Sequence, residues 1–501
     1  MLNVKQISEI IFNNQFAFAF LFYVLKKVKD LLKTFNEYPK IVYLHINIKL
    51  FFLIKKNFLF LLILVALSTS LQSQSKFGFF GENQKEQSVR FNLINNLVVI
   101  PMEVNGKQLS FILDTGVNKT ILFNLSQNDS IGLNDVRKVA LQGLGKGKSM
   151  DALISDNNTL KIKDFVGENQ EIYVLLKDKF DVSGKMGMTI HGIVGYKLFK
   201  DAVVHINYIT RRVYFYNPKF FKYKKCRKCE TFPLQFYRNK PYIDAKIQLD
   251  TIGNKLTDVK LLIDSGGSES VWLFENSKEE IQTPIRHFRD VLGEGISGTI
   301  YGKRSRIKQI SIGSFDIKEP TVSFLDSTST FYARQFKERN GSIGGNILKR
   351  FKIWVDYNNK KITLKKSGSF RGGFEYNMSG LDVVYNGKVL VKEKAGTTFS
   401  DSYSSNSSQT STNKTISLVS SYTYQFKPSY KVKHVLENSP AALVGIQEGD
   451  IILNINGTKA HQLTLKEILG KFQSGHNNKI RLYVDRFGVE MKFQFRLVKK
   501  I

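Results

Sequence analysis

The sequence predicts a mainly β chain made of two duplicated lobes followed by a smaller C-terminal β module. Three observations carry this. A short aspartate signature occurs twice, an identical order of apolar and glycine positions follows each copy, and the composition suits strands. The 501 residues hold only 9 prolines, with 36 glycines, 39 phenylalanines, 21 tyrosines and abundant Val and Ile. β-branched and aromatic residues fit a pleated, half-buried surface.

The first lobe is read over 90–222. It carries Ile112-Leu113-Asp114-Thr115-Gly116, then Gly192-Ile193-Val194-Gly195, then apolar runs at 203–208 and 211–215. The second lobe is read over 230–366. It carries Leu262-Ile263-Asp264-Ser265-Gly266, then Ser342-Ile343-Gly344-Gly345, then Ile353-Trp354-Val355-Asp356 and Lys361-Ile362-Thr363-Leu364. From aspartate to the glycine after the apolar pair the chain runs 81 residues in one half (114 to 195) and 80 in the other (264 to 344). Matching offsets in matching order mark an internal repeat. A lone Asp-Ser/Thr-Gly is a common turn; two, one per half, supply a pair of carboxylates for one site. Two close carboxyls cannot both ionise, so one acts as base and the other as acid. The glycine lets a backbone N–H approach the carboxylate.

This pattern resembles the aspartic peptidases, both the two-lobed pepsin type and the retropepsin type, over roughly residues 90 to 366. The resemblance implies a bilobal pair of acid-protease β-barrels. It implies catalytic roles for Asp114 and Asp264, and supporting roles for Thr115, Gly116, Ser265 and Gly266. The chain departs from pepsin where a hydroxyl residue usually follows the motif: Val117 and Gly267 stand there. Losing a hydrogen bond to the charged form raises a carboxyl's pKa, so the pH optimum is expected nearer neutral than pepsin's. Glycine-rich stretches at 143–148 and 293–298 read as lids, the first without pepsin's tyrosine.

Residues 374–498 form the third unit. Asn438-Ser439-Pro440-Ala441-Ala442 leads to Gly449-Asp450-Ile451-Ile452-Leu453-Asn454-Ile455-Asn456-Gly457. Pro440 suits a helix start, Asn456-Gly457 a hairpin turn, and Thr464 with Glu467 a capped helix to Phe472. This run is similar to PDZ domains. The resemblance implies a groove that takes an extended peptide along a sheet edge and holds its terminal carboxylate on backbone N–H groups. The loop expected to hold that carboxylate is Ser379, Gly380, Leu381, Asp382 and Val383. Residues 397–425, rich in Ser, Thr and Asn, read as a flexible insertion.

At the N-terminus Lys55-Lys56 precedes an apolar run from Phe58 to Leu67 and then small polar residues. That is the layout of a secretory signal peptide over 55–75, with residues 1–54 a doubtful extension. A secreted or periplasmic location is expected, with a membrane anchor as the alternative. The net charge of +31, from 74 Lys and Arg against 43 Asp and Glu, reads as spread along the chain; it favours association with an anionic cell envelope. No recognition helix or stacking motif points to nucleic acid. Cys226 and Cys229, the only cysteines, lie between the lobes and suit a small structural disulfide. The seven scattered histidines suggest neither a Ser-His-Asp triad nor a metal centre, and no cofactor is expected. The function expected is therefore peptide-bond hydrolysis by the Asp114–Asp264 pair, with polypeptide substrate and a peptide C-terminus as partners. The alternative is a catalytically silent scaffold whose PDZ domain carries the function.

Overall fold

The computed structural model describes Lys26 and residues 75–501, apart from 126–130, 142–149, 176–180, 250–254, 296–297, 326, 328 and 403–414. The expected signal segment, but for Ser75, lies outside the described residues. So do the extension at 1–54 (Lys26 aside), the first lid at 143–148, and Ile296 and Ser297 of the second.

Each half is organised around one sheet. In the first, Leu97–Val104 and Lys107–Leu113 form a hairpin through Asn105-Gly106, both at positive φ (46° and 87°). That is the backbone twist a two-residue hairpin requires. Gly192–Val194 then runs parallel to Lys107–Leu113, with Val194 opposite Leu113, and antiparallel to Thr120–Leu122. The second half repeats this: Arg339–Ile343 runs parallel to Thr257–Ile263, with Ile343 opposite Ile263, and antiparallel to Val271–Phe274. The returning strand thus lies between the two strands that flank each aspartate loop. Glycine is needed where it leaves: a Cβ on Gly195 would run into the Val117 carbonyl oxygen, and one on Gly344 into that of Glu269.

Strand alternation sorts side chains into two layers. Leu109, Phe111 and Leu113 enter one large core shared with Leu261 and Ile263 of the second half. Ile112 faces the other way, into a separate apolar layer with Leu97, Val99, Phe123 and Ile190.

A six-stranded sheet joins the halves, because the closing strands of each pair with one another: Val203–Asn207 lies antiparallel to Phe351–Asp356. The first lobe begins earlier than the expected boundary at 90. Lys76–Phe79 pairs with Phe165–Leu175 and Glu86–Arg90 with Arg212–Tyr216, and Phe77 is buried in the main core.

The C-terminal unit has its own core. Phe374 still packs with the lobes, whereas Tyr376, Met378 and Leu381 belong to the new cluster with Ile468, Phe472 and Leu482. Helix Leu465–Phe472 carries a full capping box between Thr464 and Glu467. Asn456-Gly457 turns between Ile455 and Thr458. The expected flexible loop at 397–425 is corrected for 397–402 and 415–425, while 403–414 lie outside the described residues. Leu381–Ser402 and Thr415–Val435 form one long antiparallel ribbon, paired out to Ser402 opposite Thr415. Its second arm reads Thr-Ile-Ser-Leu-Val, then Tyr, Tyr and Phe at alternate positions 422, 424 and 426. That β-rich alternation outweighs the loop signal of the serines.

Candidate active site

The two aspartate loops meet through a reciprocal set of hydrogen bonds. The Thr115 hydroxyl donates to the Ile263 carbonyl (2.7 Å) and accepts from the Ser265 N–H (3.0 Å). The Ser265 hydroxyl donates to the Leu113 carbonyl (2.7 Å) and accepts from the Thr115 N–H (3.0 Å). Both hydroxyls are buried, at 2% exposure each, so each arrives with its donor and acceptor satisfied. Below each loop the returning strand accepts the aspartate's own N–H: Asp114 to Val194 and Asp264 to Ile343, both 2.9 Å.

This lattice aims Asp114 and Asp264 at one point, where their carboxyls hydrogen-bond one another. Gly116 N–H donates to Asp114 Oδ1 at 2.6 Å. The Gly266 backbone also bonds Asp114, so closely that a Cβ there would strike its carboxylate. Both side chains are surrounded by protein yet keep a partly exposed edge. Burial, and then the facing Asp264, push the Asp114 pKa up to about 7; Asp264 is raised as well, chiefly by burial. The pair therefore retains a proton well above the ordinary carboxylate range. Tyr357, from the joining sheet, reaches the Thr115 carbonyl at 3.4 Å.

Two cations at this site had no part in the sequence reading. Lys240 and Arg339 both lower the pKa of Asp264, and Lys240 that of Asp114 also. Lys240 could have been found by writing the two repeats under each other: Leu97-Val98-Val99-Ile100 aligns with Lys240-Pro241-Tyr242-Ile243.

Of the other residues singled out from sequence, His191 has a backbone role. Its Nδ1 accepts the Ser110 N–H at 3.1 Å, as Asn340 Oδ1 accepts the Lys260 N–H at 2.9 Å in the second lobe. His205 stacks on Trp354 in the joining sheet, and burial lowers its pKa to about 4. Cys226 and Cys229 form a disulfide. The positive charge is less evenly spread than expected: Lys222, Lys224, Lys225, Arg227 and Lys228 crowd this connector around a concavity of about 1060 Å³.

In the C-terminal unit the expected carboxylate loop is largely closed upon itself. Ser379 N–H donates to Asn377 Oδ1 (3.0 Å), Leu381 N–H to Ser379 Oγ (3.0 Å), and Met378 N–H to the Phe472 carbonyl (2.9 Å). Leu381 and Val383 point into the core, and Asp382 faces Lys185 of the first lobe at 3.7 Å. A terminal carboxylate would have to displace the Asn377 and Ser379 side chains to use these amides. The segment carrying Lys185 crosses the unit: Asp181 lies 3.7 Å from Lys433, Lys185 meets the edge strand Leu381–Ser402, and Gly187 abuts Leu465 of helix Leu465–Phe472. The second-lobe strand pair His287–Gly295 and Gly298–Arg306 is tied in too, through Phe288 against Tyr376 and, just before it, Arg286 to the Lys500 carbonyl (2.9 Å). Between them lies a concavity of about 730 Å³ that reaches Ser268, four residues past Asp264.

Two β lobes that each contribute an aspartate loop to one point form a bilobal acid-protease fold, here followed by a PDZ unit. Two family models agree. Residues 100–198 match the family model described as aspartyl protease, and residues 431–486 match that of the PDZ domain. The chain thus carries an aspartyl protease domain and a C-terminal PDZ domain. No curated protein matches it. Among solved structures it is similar to an aspartic proteinase from Irpex lacteus, at 14% identity and a TM-score of 0.39, covering 57% of this chain and 99% of that one.

Proposed function

We propose that this protein is an aspartic-type endopeptidase whose water-activating pair is Asp114 and Asp264. The observation that carries the reading is the interlocked pair of loops, which presents two carboxyls, one still protonated near neutral pH, on a partly open floor. In this mechanism the ionised carboxylate takes a proton from water as the water oxygen attacks the peptide carbonyl carbon. The protonated carboxyl gives its proton to the carbonyl oxygen, which yields a tetrahedral diol. Collapse of the diol re-forms C=O and breaks C–N: the ionised carboxyl takes the proton of one diol hydroxyl while the protonated carboxyl gives its own to the departing amine, which returns the pair to its starting state. The hydroxyls of Thr115 and Ser265 do no chemistry; they hold the loops in register. The PDZ unit, which touches both lobes and lines the 730 Å³ concavity with them, would guide polypeptide substrate toward the floor.

The deciding experiment is cleavage of a mixed peptide library by the full chain from pH 3 to 8, beside Asp114→Asn and Asp264→Asn. Cleavage lost in both variants and blocked by a statine peptide supports the reading. No cleavage by the wild type at any pH, with C-terminal peptides still bound, favours the silent scaffold instead.

We further propose a secreted or periplasmic location, with a membrane anchor as the alternative. Support comes from the signal-like layout of 55–75 and from the Cys226–Cys229 disulfide, which suits an oxidising compartment. The basic connector would favour contact with an anionic envelope. N-terminal sequencing of the mature protein tests this: a start near Ser75 supports export with cleavage, and a retained apolar segment in the membrane fraction supports the anchor.

A further inference from the structure

The duplication supplies an internal control for the walls beside the aspartates. In the first lobe Val99 lies opposite Ile112, so the register carries Leu97 opposite Asp114. In the second, Tyr242 lies opposite Leu262, which carries Lys240 opposite Asp264. On the returning strand, Gly192 pairs with Phe111 as Gly341 pairs with Leu261, so Ile190 of one lobe answers to Arg339 of the other. Leu97, Val99 and Ile190 belong to a continuous apolar layer. Their counterparts Lys240, Tyr242 and Arg339 form a cationic and aromatic wall. Arg339 lies 5.0 Å from the Phe274 ring centroid and 5.9 Å from that of Tyr242, and it is only 4% exposed. Its guanidinium bonds the Gly341 carbonyl (3.1 Å) and the Tyr242 side chain. Lys240 differs. It is partly exposed, and its ammonium feels Asp114 and Asp264 as opposite charges and Arg339 as a like one, with no direct hydrogen bond or ion pair to it among the described residues. A half-buried ammonium whose opposite charges, Asp114 and Asp264, stand beyond hydrogen-bond reach keeps donors that an anionic ligand group would satisfy.

We propose that Lys240 is the specificity-determining residue of a one-sided subsite for an acidic substrate side chain, with Arg339 and Tyr242 as its fixed backing, while the matching subsite of the first lobe, at Leu97, takes an apolar one. This rests on the peptidase reading and names its substrate class: peptides with Glu or Asp on one side of the scissile bond only. Arg339 is a positioning residue, buried against the Phe274 and Tyr242 rings and tied to the Gly341 carbonyl.

The test measures binding at pH 5 of statine peptides that differ by Glu against Gln at each of the three positions on either side of the statine. The wild type is expected to bind Glu about tenfold more tightly at one position, the gain of a charge-assisted hydrogen bond. Lys240→Leu, which installs the residue the first lobe uses, is expected to bind the two peptides equally. Lys240→Arg is expected to keep the preference, and Leu97→Lys to create a second one across the statine. Equal binding of Glu and Gln by the wild type, or a Glu preference that survives Lys240→Leu, overturns the subsite and leaves the peptidase reading standing. Failure to bind any statine peptide overturns both.

Discussion

The two lobes share a backbone and differ in what lines it. Their loops, returning strands and reciprocal hydroxyls superpose in pattern almost bond for bond, down to His191 and Asn340 accepting equivalent strand N–H groups. Yet the layer behind Asp114 is apolar and the layer behind Asp264 holds two cations. The lesson is that the loop lattice tolerates little, because every donor and acceptor in it is used. The wall residues are held only by strand register, so their chemistry is free to diverge.

The heaviest blow to the shared part is the loss of either carboxylate. Asp114→Asn and Asp264→Asn should each lower kcat/KM by roughly 10²–10⁴-fold, the ordinary scale for a positioned acid or base. A double variant no worse than either single would show that the two act as one unit.

Glycine substitutions should break the symmetry. A Cβ on Gly266 runs into the Asp114 carboxylate, whereas one on Gly116 stands 3.0 Å from Asp264 Oδ1. Gly266→Ala should therefore abolish activity while Gly116→Ala leaves a measurable fraction; equal losses in kcat would contradict the geometry.

The hydroxyls should behave alike. Thr115→Val and Ser265→Ala each strand a buried N–H and a buried carbonyl in the opposite lobe, at a cost of about 1–3 kcal/mol per unsatisfied group. Denaturant midpoints should fall by similar amounts, and less than additively in the double variant, since the two hydroxyls serve one lattice.

The protonation of the pair gives a signed pH dependence. Asp114 has a folded pKa of about 7 against an ordinary value of 3.8. The folded state therefore binds more protons than the unfolded one between those values, and stability falls as pH rises through that window. Asp114→Asn should flatten this part of the Tm profile. The wild-type activity should decline as pH rises past about 7. Because Lys240 lowers the pKa of both carboxyls, Lys240→Leu should move that limb upward.

The smallest effect is expected where the C-terminal unit meets the first lobe. Lys185→Glu reverses a part-exposed pair at 3.7 Å, a contact worth at most about 1 kcal/mol. Faster hydrogen exchange in Leu381–Ser402, with lobe stability unchanged, would be the readout.

By itself the sequence determined the architecture. Two copies of one signature at matched offsets dictated a duplicated β scaffold, and the Ser-Pro, Asn-Gly and Thr-x-x-Glu signals dictated the C-terminal unit, because these are local patterns of turn, cap and strand. The repeat also named the aspartates and their neighbours. Tertiary structure decided what local pattern cannot carry. It carried the ribbon arms 381–402 and 415–435 into a stretch that reads as loop, since pairing two long arms outweighs the preference of scattered serines. It turned amides of the loop expected to hold a carboxylate onto Asn377 and Ser379. It also set Lys240 and Arg339 around Asp264, residues 24 positions before it and 75 after it (240 to 264, 264 to 339). Charges so far apart in the chain act on one another only after the sheet brings them together, at a distance and in a dielectric that no spacing along the sequence records.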